Sequence, residues 1–141
     1  MSARTKARKR AIDLLYGADL RELPIADLVS EEAVRAESQP DRAASWAYAR
    51  RIAEGVDEHR DELDRAIRDH AQGWTLERMP VLDRAIARVA AWEILFNDEI
   101  PDAVAISEAV GAARSLSTDD SAGFLNGMLA AVSRDAVHTD G

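Results

Sequence analysis

The stretch PVLDRAIARVAAWEILF, residues 80–96, decides the fold. Pro80 suits a first helical turn, where its missing N–H has no intrahelical partner to lose. Leu82, Ala85, Ile86, Val89, Trp92 and Phe96 then recur at steps of three and four, the spacing of one helix face. Glu93 falls on that face too, between Leu82 and Ile86 at about 100° per residue. A carboxylate on a buried stripe must be paired or hydrogen-bonded. No second carboxylate, histidine or metal signature accompanies it, so Glu93 is read as a structural acceptor for a backbone or arginine donor.

The same period continues on both sides of this helix, with almost no strand signal. Before it, helices are expected over about residues 4–20, with Ala7, Ala11, Leu14, Leu15 and Ala18 inward, and about 24–36. A third is capped by Asp41, carries Trp46, Ala49, Ile52 and Ala53 inward and ends near Gly55. A fourth covers about 57–71, on Leu63, Ala66 and Ile67, and Gly73 breaks it. WTLERMP is a linker anchored by Trp74, Leu76 and Met79. After the central helix come helices over about 102–116, on Val104, Ile106, Ala109, Val110 and Ala113, and about 121–137, on Leu125, Met128, Leu129 and Val132. Asp119 or Asp120 serves as N-cap of the last. The reading is all-α, about seven helices in two small packed helical bundles: one domain over 1–141, divided at about 1–72 and 73–137, with residues 138–141 as a frayed tail.

Several classes of chemistry are excluded. With no cysteine there is no disulfide framework and no thiolate zinc site. No apolar run approaches the roughly 18 residues of a membrane span, and the basic start lacks the apolar segment of a secretory signal, so a cytoplasmic protein without a membrane partner is expected. No strand and G-K-[ST] signature frames a phosphate loop. His59 and His70 share a helix face but lie roughly 16 Å apart along its axis, too far for one metal, and read as solvated surface groups; His138 sits in the tail. Neither a catalytic residue nor a metal or cofactor is expected.

Charge is distributed unevenly. The chain has 18 Lys+Arg against 26 Asp+Glu, yet its first ten residues hold Arg4, Lys6, Arg8, Lys9 and Arg10 and no acid. On a helical wheel Lys6, Lys9, Asp13 and Tyr16 lie opposite the apolar face, with Arg10 at one border. Cations meet phosphates, and a tyrosine ring offers a base a stacking surface. Cations at a helix N-terminus oppose the macrodipole by roughly 0.3–1 kcal/mol each, a cost that a bound polyanion would offset. The acidic remainder could face a basic partner or serve as solubilising surface. Gly123 and Gly127 stand one turn apart inside the last helix, each costing about 1 kcal/mol relative to alanine. Their spacing suits a close approach by another helix or by a ligand.

ARKRAIDLLYGADL, GWTLERMPVLDRAIARVAAWEILF and IPDAVAISEAVGAARSLSTDDSAGFLNGML, in this order, resemble the NusB family of bacterial transcription antitermination factors. The resemblance covers nearly the whole chain; residues 21–72 are the least distinctive. It implies two all-α bundles without catalytic activity or cofactor. It implies binding to a short single-stranded boxA RNA of ribosomal RNA transcripts together with NusE, also a small-subunit ribosomal protein. That complex joins RNA polymerase, lets it pass terminators, and is tied to maturation of the ribosomal RNA. Carried to matching positions, Arg4, Lys6, Arg8, Lys9, Arg10, Tyr16 and Phe124 form the RNA surface, with Asp120 and Asn126 close by. Asp83, taken as exposed, faces NusE, and Arg88 and Glu93 are structural. Gly123 stands where many members carry a larger polar or basic residue. A similar domain begins an RNA cytosine methyltransferase, but the chain stops where the S-adenosylmethionine-binding domain would start, so an enzyme is not expected. The RNA face could instead be buried in a homodimer.

Overall fold

The computed structural model describes residues 2–140, with side chains up to Ala136, so the side chain of His138 lies outside the described residues. Among the described residues there are seven α-helices and one short 3-10 turn, and no strand. They are α1 (Ala3–Arg21), α2 (Ile25–Ser38), α3 (Pro40–Glu58), α4 (Arg60–His70), the turn Leu76–Arg78, α5 (Val81–Phe96), α6 (Asp102–Leu116) and α7 (Asp119–Asp140).

Helix ends follow local chemistry. Ser2 caps α1, accepting the Thr5 N–H at 3.1 Å. α3 begins at Pro40, the position where proline is best tolerated, which places Asp41 inside the first turn rather than at the cap. Thr118, not Asp119 or Asp120, caps α7: its Oγ1 accepts the Ser121 N–H at 3.0 Å, and the two aspartates occupy the first turn, where the dipole favours them. Gly73 adopts φ +79°, a left-handed conformation that releases the chain from α4. Gly55 does not end α3. A Cβ there would stand 2.2 Å from Trp92 Nε1, so the glycine sits within the helix to let the indole of α5 approach its backbone.

α5 is the centre of the molecule. Eleven of its sixteen residues are buried, so it is enclosed on nearly every side rather than along one stripe. α1, α3, α4, α6 and α7 all pack on it. Leu82 and Phe96, expected inward, lie at the edge of the core, while Ala87, Ala90, Ala91 and Ile94 are buried. α1, α2 and α3 pack on one another, and α5 and α7 link α4 and α6. The expected boundary at about 72/73 would group α4 with the first three helices; because α4 packs mainly on α5 and α7, we propose a division into two bundles between α3 and α4 instead. In α6 the buried stripe is Ala105, Ala109 and Ala113; Val104 is exposed, and Ile106 and Val110 are half-buried.

Buried arginines tie the helices together. Arg88 Nε and Nη2 donate to Asp64 at 2.8 and 3.2 Å, and its Nη1 donates to Asp19 at 3.0 Å, joining α5, α4 and α1. Burial alone would lower the Arg88 pKa, but the two carboxylates outweigh it and hold the group above its usual value.

Candidate nucleic-acid interface

The fold divides the five cations of α1 into groups with different partners. Arg8 turns inward. It is 6 % exposed, because it shares the side of the helix that buries Ala7, Ala11 and Ile12. Its Nε donates to both oxygens of Glu93 at 2.9 and 3.0 Å, and Nη1 lies 3.4 Å from Glu108. The Tyr48 hydroxyl also donates to Glu93 and accepts from Asn97 Nδ2 at 3.1 Å. Desolvation would depress the Arg8 pKa, but Glu93 and Glu108 more than offset it and raise it. Burial, then the bond to Glu93, pushes the Tyr48 phenol up to about 12. Glu93 is thus the acceptor for an arginine that its position demanded. The expectation that Arg8 lies on an RNA surface is corrected: its charge is spent inside the protein.

Arg4 is exposed and Arg10 half-buried, each with a carboxylate within reach. Arg4 stands 3.6 Å from Glu99 with its guanidinium 4.8 Å from the Tyr48 ring centroid, and Arg10 stands 3.6 Å from Glu32. Lys6 and Lys9 are exposed and form no ion pair among the described residues. Tyr16 is half-buried against the core and presents only part of its ring.

On α7, Asp120 and Asn126 are exposed, while Phe124 is half-buried. The Phe124 ring lies 5.9 Å from that of Trp74, inclined at 48°, and Trp74 is itself 49 % exposed. A Cβ added at Gly123 or Gly127 would meet nothing within 4 Å. No other helix of this chain packs on these glycines, so the helix-packing explanation for them falls. Lys9 also lines a groove of about 280 Å³ that Ser115 and Leu116, at the end of α6, border.

Asp83 is not exposed. It is 4 % accessible, and Ser121 Oγ donates to its Oδ2 at 2.7 Å. The helical pattern showed Leu82, Ala85 and Ile86 inward and left Asp83 on the far side; the first turn of α7 covers that side. The residue therefore ties α5 to α7, and the expectation that it is exposed is corrected. Both described histidines are also engaged rather than simply solvated. His59 stacks on Phe96 with centroids 3.8 Å apart, and His70 bonds the Ala66 carbonyl at 2.7 Å and Asp135. No group of three His, Cys, Asp or Glu positioned to hold a metal occurs among the described residues.

Sequence reasoning missed Arg35 and Arg42. They converge with Arg10 on Glu32, beside a cleft of about 620 Å³ between α1, α2 and α3 that Lys6 and Lys9 also line. Arg35 and Glu32 are three apart in one helix, a spacing visible in sequence. Arg42 comes from the next helix, and nothing in the sequence pattern brings it there.

The NusB family model matches residues 5–134. This chain belongs to the NusB family. Transcription antitermination protein NusB of Leifsonia xyli subsp. xyli is 59 % identical over 135 residues, covering 96 % of this chain and 94 % of that protein. A structure of T. maritima NusB superposes with a TM-score of 0.82 at 29 % identity, covering 94 % of this chain and 91 % of that one. A crystal structure of antitermination factors NusB and NusE in complex with double-stranded RNA shares the fold, with a TM-score of 0.81 at 23 % identity over 96 % of this chain and 98 % of that one. No helix among the described residues is long and apolar enough to cross a membrane.

Proposed function

We propose that this protein is a transcription antitermination factor that binds boxA single-stranded RNA of ribosomal RNA transcripts together with NusE. It works within the RNA polymerase antitermination complex of the bacterial cytoplasm and supports ribosomal RNA synthesis and maturation. The observation that carries the reading is membership of the NusB family, with 59 % identity to a protein named for transcription antitermination. The protein acts by binding rather than by catalysis.

Lys6 and Lys9 lead the RNA surface: they are the solvated, unpaired cations of α1 in a chain of net charge -8. Arg4 joins them by exchanging its exposed partner Glu99 for a phosphate, and Arg10 by the solvent-facing part of a side chain held at buried Glu32. The exposed parts of Tyr16 and Phe124 offer stacking edges, bordered by Asp120 and Asn126. Asp83 supports NusE binding only indirectly, by fixing α5 against the start of α7.

Fluorescence anisotropy of a labelled boxA RNA, titrated with the protein alone and with NusE, tests the proposal. The expected result is binding that exceeds that of a scrambled RNA and tightens when NusE is present. Equal affinity for the scrambled strand, or indifference to NusE, would sink it.

A further inference from the structure

We infer that the cleft between α1, α2 and α3 is a phosphate subsite that takes the RNA backbone beside the boxA element. The inference rests on the RNA-binding reading and extends it to residues outside α1. Its centre is Glu32, a carboxylate of α2 that is only 7 % exposed. Arg42 of α3 reaches it at 2.6 Å, Arg35 of α2 at 3.3 Å and Arg10 of α1 at 3.6 Å. Across the cleft six cations, Lys6, Lys9, Arg10, Arg21, Arg35 and Arg42, face three carboxylates, Asp13, Glu31 and Glu32, leaving a local surplus of three. Glu31, on the same wall, is already taken by Arg21 at 3.2 Å.

That surplus is more than helix packing needs. Arg42 and Arg35 each donate one hydrogen bond to Glu32, and these two guanidinium groups already exceed its single negative charge. A third brings repulsion among guanidinium groups without adding an acceptor. The arginines also stay accessible: side-chain exposure is 25 % for Arg10, 35 % for Arg42 and 64 % for Arg35. A guanidinium carries five N–H donors, and Arg35 and Arg42 each donate one hydrogen bond to Glu32, so most of their donors are free for another anion. The cleft, about 620 Å³, has room for a phosphodiester and its sugar.

The occupant is identified by continuity. Lys6 and Lys9, the unpaired cations of α1, line this same cleft. A strand held by them has its neighbouring phosphates beside Arg35 and Arg42. Phosphate is the shared chemistry of two sources, an RNA backbone and the free ion, and continuity with the lysines selects the backbone.

The test compares a minimal boxA RNA with the same RNA lengthened by a few unrelated nucleotides at each end, by anisotropy at about 0.1 M salt. The wild type is expected to bind the longer RNA about tenfold more tightly, with a log K against log salt slope steeper by roughly 1.4, the value for two further single-strand phosphates. The Arg35→Ala/Arg42→Ala variant should lose this increment and bind the minimal RNA as the wild type does. Arg35→Gln alone alters a mostly exposed side chain, keeps the fold if the double variant does not, and should lose about half of the increment on a logarithmic scale. No gain on lengthening, or a gain that survives both variants, overturns the inference while binding of the minimal RNA leaves the function standing. Failure of the wild type to bind the minimal RNA overturns both. Inorganic phosphate, added at constant ionic strength, should leave the increment intact; its loss would assign the cleft to the free ion and overturn the RNA-backbone reading.

Discussion

Replacing Arg8 by methionine should unfold the protein more readily and affect RNA only through that loss. The change keeps the aliphatic bulk but removes the charge that Glu93 faces. Glu93 is 1 % exposed, and its remaining partner is the Tyr48 hydroxyl, so the variant leaves an uncompensated carboxylate in the core. Breaking a buried pair in this way costs about 3–5 kcal/mol. In a chain of 141 residues each kcal/mol moves the melting temperature by roughly 3–4 °C, giving a fall of about 9–20 °C. Urea unfolding by circular dichroism measures the first quantity and a thermal melt the second. The double variant Arg8→Met/Glu93→Leu removes both charges and should recover much of the loss, with a coupling energy of about 1–3 kcal/mol. The reasoning is refuted if Arg8→Met melts like the wild type while its RNA affinity drops, for that would make Arg8 a surface contact.

Other consequences follow from the same geometry. Gly55→Ala drives a methyl group into the Trp92 indole and should destabilise by about 1–3 kcal/mol in urea titration despite the better helix propensity of alanine. Gly127→Ala has open space and should stabilise by up to about 1 kcal/mol; a simultaneous loss of RNA affinity would show that a ligand approaches that backbone closely. Partial burial would lower the His70 pKa, but the Ala66 carbonyl and Asp135 outweigh it, so the folded value lies above the unfolded one. The histidine therefore adds stability that is complete below its unfolded pKa of about 6.5 and disappears as pH rises through the folded pKa. Denaturation of His70→Gln across this range should show a smaller fall from acid to neutral pH than the wild type.

The fold was legible because its signals are local. The three-and-four spacing in residues 80–96 identified α5, and the same period located the other six helices. Glu93 on that buried face required a donor, and Arg8 provides it. What the sequence did not reveal depends on contacts between helices. A wheel places Asp83 opposite the apolar stripe and cannot show the first turn of α7 lying over it. It counts Arg8 among five cations and cannot show that α5 holds an acid at its tip. Gly55 looked like a helix end because glycine is a common C-cap, whereas the close crossing with Trp92 gives it a place inside α3. Arg35 and Arg42 fall in the least distinctive part of the chain, and only the packing of α2 and α3 on α1 gathers them round Glu32.

The central claim is that exposed α1 lysines, and not the acidic body or the buried arginine, hold the RNA. Its most direct test is the boxA affinity of Lys9→Glu, measured by anisotropy beside a thermal melt of the same preparation. The account predicts unchanged melting within about 2 °C, as for a surface substitution, and an affinity reduced by about fivefold or more at 0.1 M salt. Unchanged affinity in a fully folded variant would contradict it.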